Sequence, residues 1–465
     1  MEKLDARHTA MVLAVVFIAT FMDGLDGSIV NVALPTIGES FGVDTATISW
    51  VAIVYFMVLA GTLVAFARIA TDTGVRHIMA GGLGIFTVGS LVCGLSPSLE
   101  ILIAARAVQG LGAAMMAAAG PICCVEYLPP SKLGFGMSIV TVGASVGFAA
   151  GPAVGGALVE FLPWHSIFLI NVPIGIVTVP LMLKAISKSQ PKKTSLDVRG
   201  TLVLFASIAF GTLALEMSAY PERSTLTIVS AILFIILLIA FVMNERRVQN
   251  PLIKLSMFTR WDFSAIFVTL LLTNLVYMAV LYLIPFYGTI PLGMSSLEIG
   301  AVVLVSSTVT AILGLPVARL SDRIGRKLFC VLSGLFEFVG FGILAAFAED
   351  MPLWLMLVVM VLMGLGWAFV GGPMASRLVE HAGEERDMAS SLMNEAYYVG
   401  GTIGTALIAM LFTVFSKSGG VDISDVTTDV FIEGFVPCLA LTAIIGLVIS
   451  EISAVVKDEK RTDDN

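Results

Sequence analysis

Arg319-Leu320-Ser321-Asp322-Arg323-Ile324-Gly325 repeats, 251 residues further on, the pattern of Arg68-Ile69-Ala70-Thr71-Asp72-Thr73-Gly74. In each copy an arginine, an aspartate and a closing glycine follow a long apolar run. A second echo, Gly110-Leu111-Gly112 against Gly364-Leu365-Gly366, has an offset of 254. Two echoes in the same order at nearly one offset divide the chain into parallel halves with an insertion between them.

Outward from these copies, apolar runs lie near 9–30, 46–67, 78–95, 99–125, 133–158, 165–185, 200–219, 225–243, 262–286, 298–318, 328–347, 352–374, 388–415 and 431–453. Each is close to the roughly 20 residues that cross a bilayer. Charged residues make up 13% of the chain, about half the share of a soluble domain, so lipid is the solvent. Strand-like alternation is missing, and a spanning segment must satisfy its own amides, so the runs read as helices. The expected fold is an all-α integral membrane protein of fourteen spans: a six-helix bundle over 1–187, a linker with two inserted spans over 188–260, and a second six-helix bundle with a short tail over 261–465. The first run meets Asp23 and Asp26 without a small-residue cleavage site and reads as a retained span.

Charge sets the orientation. Of 26 Lys and Arg, Arg223 and Lys417 fall in loops on one side and Arg106 lies inside a span, leaving 23 on the other side. That side, which carries both termini and the basic stretch Lys188–Lys193, reads as cytoplasmic. The opposite loops are acidic, with Glu39, Asp44, Glu100, Glu160, Glu349, Asp350, Asp422, Asp425 and Asp429. The five cysteines sit in or beside apolar runs without metal or disulfide spacing and read as packing residues. The four histidines lie apart, no phosphate-binding loop is present, and topology accounts for the basic loops without nucleic acid. No cofactor is expected, and the chain is not read as an enzyme.

Two homologous six-helix halves are the architecture of an alternating-access transporter. Four further strings carry a closer resemblance: Leu25-Asp26-Gly27-Ser28-Ile29-Val30-Asn31-Val32-Ala33-Leu34-Pro35 closing the first span; Arg106-Ala107-Val108-Gln109-Gly110 in the fourth; Gly143, Gly147, Gly151-Pro152 and Gly155-Gly156 in the fifth; and Trp164-His165-Ser166-Ile167-Phe168-Leu169-Ile170-Asn171-Val172-Pro173 opening the sixth. In this order they resemble the major facilitator superfamily, and within it the fourteen-helix drug:proton antiporters. The resemblance implies a plasma-membrane exporter that works as a monomer, exchanges protons for lipophilic cations, and uses Asp26 and Arg106. The chain departs from the pattern after span 2, where Thr71 stands at the expected aspartate and Asp72 follows it; the second-half copy, Asp322, Arg323, Gly325 and Arg326, is fuller.

The residues themselves point the same way. Asp23 and Asp26 lie one helical turn apart on one face, where an isolated charge costs about 2.5–3.5 kcal/mol on insertion scales. Such a pair suits proton loading and release. Arg106 is expected to be the only basic residue buried in a span, and it needs an acidic partner or a polar cavity. Its repeat position, Met360, confines that chemistry to the first half. The small-residue face Gly143, Gly147 and Gly151, with Pro152, admits close helix approach and a bend, and together with Asp72, Asp322, Arg323, Gly325 and Arg326 forms the candidate gating set. A cation cavity needs aromatic faces, adaptable side chains and an acid. Tyr55, Met115, Asn274, Tyr277, Met278, Asn394, Glu395 and Tyr398 are the candidates. Glu216 and Glu337 also interrupt spans, with no role assigned by their position. A metabolite or lipid exporter on the same scaffold is the alternative, and a non-transporting membrane sensor the third. Costly intramembrane charges argue against the sensor.

Overall fold

The computed structural model describes residues 6–43, 45–48, 50–129, 132–187, 197–217, 224–249, 251–383, 385–416, 423 and 426–456. Among them are fourteen helices long and apolar enough to cross a membrane, and no strand. The first half contains α1 (Ala6–Phe41), α2 (Trp50–Thr73), α3 (Val75–Gly94), α4 (Leu99–Tyr127), α5 (Leu133–Phe161) and α6 (Asn171–Ala185). Next along the chain come α7 (Val198–Met217) and α8 (Ser224–Glu245). The second half contains α9 (Trp261–Thr289), α10 (Ser296–Ile324), α11 (Lys327–Ala346), α12 (Leu353–Glu380), α13 (Arg386–Ser416) and α14 (Thr428–Val455). The basic stretch 188–193, Asp44, Asp422 and Asp425 lie outside the described residues, as do the side chains of Pro152 and Glu216.

Each expected span meets one long helix, preceded in two cases by a short one (Thr45–Ile48 and Ser166–Leu169), and several helices overrun the hydrocarbon length. α12, expected to end near 374, continues to Glu380 and brings Arg377 inside a helix. Arg377 is buried, and its Nη2 donates to the Val456 carbonyl at 2.8 Å. Arg106 is therefore not the only buried basic residue in a span. The helix-forming pattern continued past the apolar run, and a backbone carbonyl at the end of α14 offered the guanidinium a partner.

The two sequence echoes share a backbone feature at their closing glycines. Gly74, between α2 and α3, has φ +96°, and Gly325, between α10 and α11, has φ +104°. Both turns need a left-handed residue, which explains the glycine that closes each copy.

The described residues fall into two compact units, one of Met1–Pro130, Ile139–Thr212 and Ala231–Lys254, the other of Ser131–Ser138, Leu213–Ser230 and Leu255–Asn465. In the first, glycines let α1 and α5 touch backbone to backbone. A Cβ at Gly147 would collide with the Phe21 carbonyl and lie 2.8 Å from the Leu25 nitrogen; at Gly151 it would lie 2.8 Å from the Ile29 nitrogen. Gly24 of α1 answers with the same closeness to Ala144 and Phe148 of α5. Lipid offers no hydrophobic drive between helices, so such approach is a main source of their cohesion. The Phe205 ring of α7 lies against Gly61 of α2. Asp197 caps α7 by accepting from the Gly200 amide at 2.8 Å and also accepts from Asn244 at the end of α8.

In the second unit the Tyr287 ring stacks on Phe435 at 4.5 Å while its hydroxyl donates to the Ala348 carbonyl at 2.8 Å. α11 and α14 cross at glycine: a Cβ at Gly334 would stand 2.5 Å from both the Gly446 oxygen and the Ser450 nitrogen. Met360, the repeat counterpart of Arg106, is fully buried in this apolar core.

Candidate functional site

Asp26 and Arg106 are both completely buried in the first unit, and Arg106 Nη1 lies 2.5 Å from Asp26 Oδ2. The arginine also donates through Nε to the Val51 carbonyl at 2.9 Å, and through Nη1 to Gln109 Oε1 at 2.8 Å. Asp26 Oδ1 accepts from Gln109 Nε2 at 2.8 Å and from Asn171 Nδ2 at 3.0 Å. Gln109 Nε2 reaches Ser90 Oγ at 2.8 Å as well. Five helices thus contribute: α1, α2, α3, α4 and α6. Desolvation makes such a pair weak as a source of stability, yet removing one partner typically costs about 3–5 kcal/mol because the other charge is stranded.

Asp23 faces a different partner. Its Oδ1 accepts from the Tyr55 hydroxyl at 2.7 Å, and the Tyr55 ring lies beneath the Arg106 guanidinium at 4.0 Å. Asp23 and Asp26, read from the sequence as a pair on one helix face, are joined through a cation and a phenol, in the order Asp26, Arg106, Tyr55, Asp23. Tyr55, a candidate for lining a substrate cavity, is fully buried within this chain of contacts. Phe168, on the short helix Ser166–Leu169, approaches the guanidinium at 5.7 Å. His165 stacks on Trp164 at 3.7 Å.

The other sequence candidates distribute as follows. Met115 packs on Gly81 and Gly82 of α3 in a helix–helix seam. Asn274 donates to the Leu270 carbonyl of its own helix at 2.7 Å, and Met278 lies against Gly401 of α13. Tyr277 stacks on Trp367 at 4.3 Å, Trp367 meets Tyr397 at 6.0 Å, and Tyr397 meets Tyr398 edge-on at 5.0 Å. Asn394 and Glu395 are buried, and Glu395 Oε2 has no hydrogen-bond partner among the described residues. The second unit therefore gathers Tyr277, Tyr398 and an unforeseen Trp367 into one aromatic series.

The two repeat turns differ in their ion pairs. Asp72 pairs with Arg68 of its own helix at 3.4 Å. Asp322 accepts from Arg326 at 2.6 Å, and Arg326 also pairs with Glu380 of α12, which ties three helix ends together. Arg323 is exposed. Gln109, Asn171, Ser90 and Glu380 were not foreseen as partners. Gln109 had a readable signal, one helical turn from Arg106 in an otherwise apolar run.

The sequence profile of the Major Facilitator Superfamily matches residues 16–405. The chain belongs to the major facilitator superfamily. The riboflavin transporter RibZ of Clostridioides difficile (strain 630) is 29% identical over 405 residues, 86% of this chain and 88% of that protein. The uncharacterized transporter YebQ of Escherichia coli (strain K12) is 28% identical over 427 residues, 90% of this chain and 91% of its own length. The putative multidrug resistance protein MdtD of Escherichia coli is 36% identical over 253 residues, 54% of each chain. The crystal structure of the human organic anion transporter MFSD10 superposes with a TM-score of 0.70 over 96% of this chain and 99% of that one; at 14% identity the likeness is one of fold. This superfamily member is a multi-pass membrane transporter.

Proposed function

We propose that this chain is a proton-driven antiporter that exports lipophilic, cationic compounds by alternating access, with both termini cytoplasmic, in the plasma membrane, acting as a monomer. The observation that carries the reading is the enclosed Asp26–Arg106 pair with its amide partners. A proton and the guanidinium compete for one carboxylate. Protonation of Asp26 removes the charge that holds Arg106 to α1, while Val51 and Gln109 keep the arginine on the α2 and α4 side. The protonation state thereby sets whether α1 is locked to α4, and a substrate need only favour one of those states to be exchanged for the proton. Likeness to MdtD over half the chain supports drug export, and the aromatic series Tyr277, Trp367, Tyr397 and Tyr398 suits a flat or cationic solute.

The same aromatic series favours a second reading, export of an uncharged aromatic metabolite, because RibZ is similar along most of both chains. Proteoliposomes with an imposed pH gradient separate the two. The antiport reading expects a fluorescent lipophilic cation to move against proton flux, and Asp26→Asn to abolish that exchange in folded protein. Movement of riboflavin but of no cation would select the second reading, and exchange by Asp26→Asn at the wild-type rate would show that Asp26 is not the coupling site.

A further inference from the structure

Glu337 stands at the middle of α11 and is 1% exposed. Neither of its carboxyl oxygens has a hydrogen-bond partner among the described residues. Its stem runs between two glycines: a Cβ at Gly366 of α12 would lie 3.2 Å from Glu337 Cγ, and one at Gly446 of α14 would lie 3.1 Å from Glu337 Cβ. Ser333, one turn earlier on the same helix, is also buried, its hydroxyl without a hydrogen-bond partner among the described residues. The charged groups of the packed helices, Arg377 and Glu380 on α12 and Asp429, Glu433 and Glu451 on α14, lie towards their ends. The Tyr277 phenol of α9 is a titratable group within electrostatic reach of the carboxyl.

The repeat shows that packing does not call for an acid here. At the 251-residue offset that matches Gly74 with Gly325, Glu337 answers to Phe86 of α3. At the 254-residue offset, Gly366 answers to Gly112 of α4. Phe86 and Gly112 meet in the first half as Glu337 and Gly366 meet in the second: a Cβ at Gly112 would lie 2.5 Å from the Phe86 nitrogen. A phenylalanine holds this seam position in one half and a glutamate holds it in the other. An ionised carboxylate without a donor or counter-ion, in a helix crossing lipid, is expensive. With its oxygens enclosed, the site has room for a proton and for nothing larger.

We propose that Glu337 is a proton-binding site of the second half, distinct from the Asp26 cluster, and that it carries its proton in the conformation described. Release takes the proton to water once α11, α12 and α14 shift enough to hydrate the carboxylate. The inference adds a second proton site to the proposed antiport, and its test needs no substrate, so it stands or falls apart from that reading.

The test uses infrared spectra of the purified full chain in lipid nanodiscs at neutral pH, with carbon-13-labelled glutamate. A protonated glutamic acid carbonyl band is expected in wild type, unmoved by Asp26→Asn, retained in Glu395→Gln and lost in Glu337→Gln. Glu337→Asp should replace it with a protonated aspartic acid band, which keeps the test decisive if Glu337→Gln does not fold. Proton release on raising the pH from neutral into the alkaline range should fall by one per chain in Glu337→Gln. A band that survives Glu337→Gln, or no such band in wild type, overturns the proposal.

Discussion

A double-mutant cycle at Asp26 and Arg106 tests whether the buried pair is one energetic unit. Both side chains are fully enclosed and their nearest atoms are 2.5 Å apart. Asp26→Asn leaves Arg106 with the Val51 carbonyl and Gln109 but no countercharge. Arg106→Gln leaves Asp26 with the neutral amides of Gln109 and Asn171. Each single change strands a buried charge, at about 3–5 kcal/mol. The double variant Asp26→Asn/Arg106→Gln strands none and loses a hydrogen bond worth about 1 kcal/mol. The double variant should therefore be more stable than either single one, with a coupling energy of at least ~3 kcal/mol, roughly a hundredfold in the unfolding equilibrium. Circular dichroism during unfolding by SDS in mixed micelles reads this directly. Effects that add to within ~0.5 kcal/mol would refute the argument, since independent sites behave that way. All three variants should lack pH-driven exchange, so the stability cycle separates the fold's need for charge balance from the coupling role.

Gly147→Val should break the α1–α5 contact and abolish transport or folded yield, because its side chain meets the Phe21 carbonyl and the Leu25 nitrogen; Gly156→Ala, with open space around it, should be silent in the same proteoliposome assay. Tyr55→Phe keeps the ring under Arg106 but removes the hydroxyl from Asp23, a hydrogen bond to a charged group worth about 1.5–3 kcal/mol; Asp23→Asn should weaken divalent cationic drugs more than monovalent ones, and equal losses across pH would show Asp23 to be no part of the site. In intact cells a cysteine at Glu160 should react with an impermeant reagent and one at Lys192 should need a permeant one; labelling at Lys192 from outside would reverse the proposed orientation.

The span count, the repeat and the presence of costly charges inside spans were determined by sequence alone. These are local properties: a run of apolar residues, an echo at a fixed offset, an acid or arginine within 20 residues of lipid-facing chain. Asp26 and Arg106 were legible as candidates for the same reason. Their partners were not, because the rotation of each helix about its axis decides which face meets which neighbour. Only the tertiary structure brought Asn171 of α6 and Gln109 of α4 to one oxygen of Asp26. It alone put Tyr55 between Arg106 and Asp23, where the sequence suggested a cavity wall. Glu337 shows the same division most plainly. Its acid was visible in the sequence, but its lack of partners depends on Gly366 and Gly446, which lie on two other helices and close around it only when all three are packed.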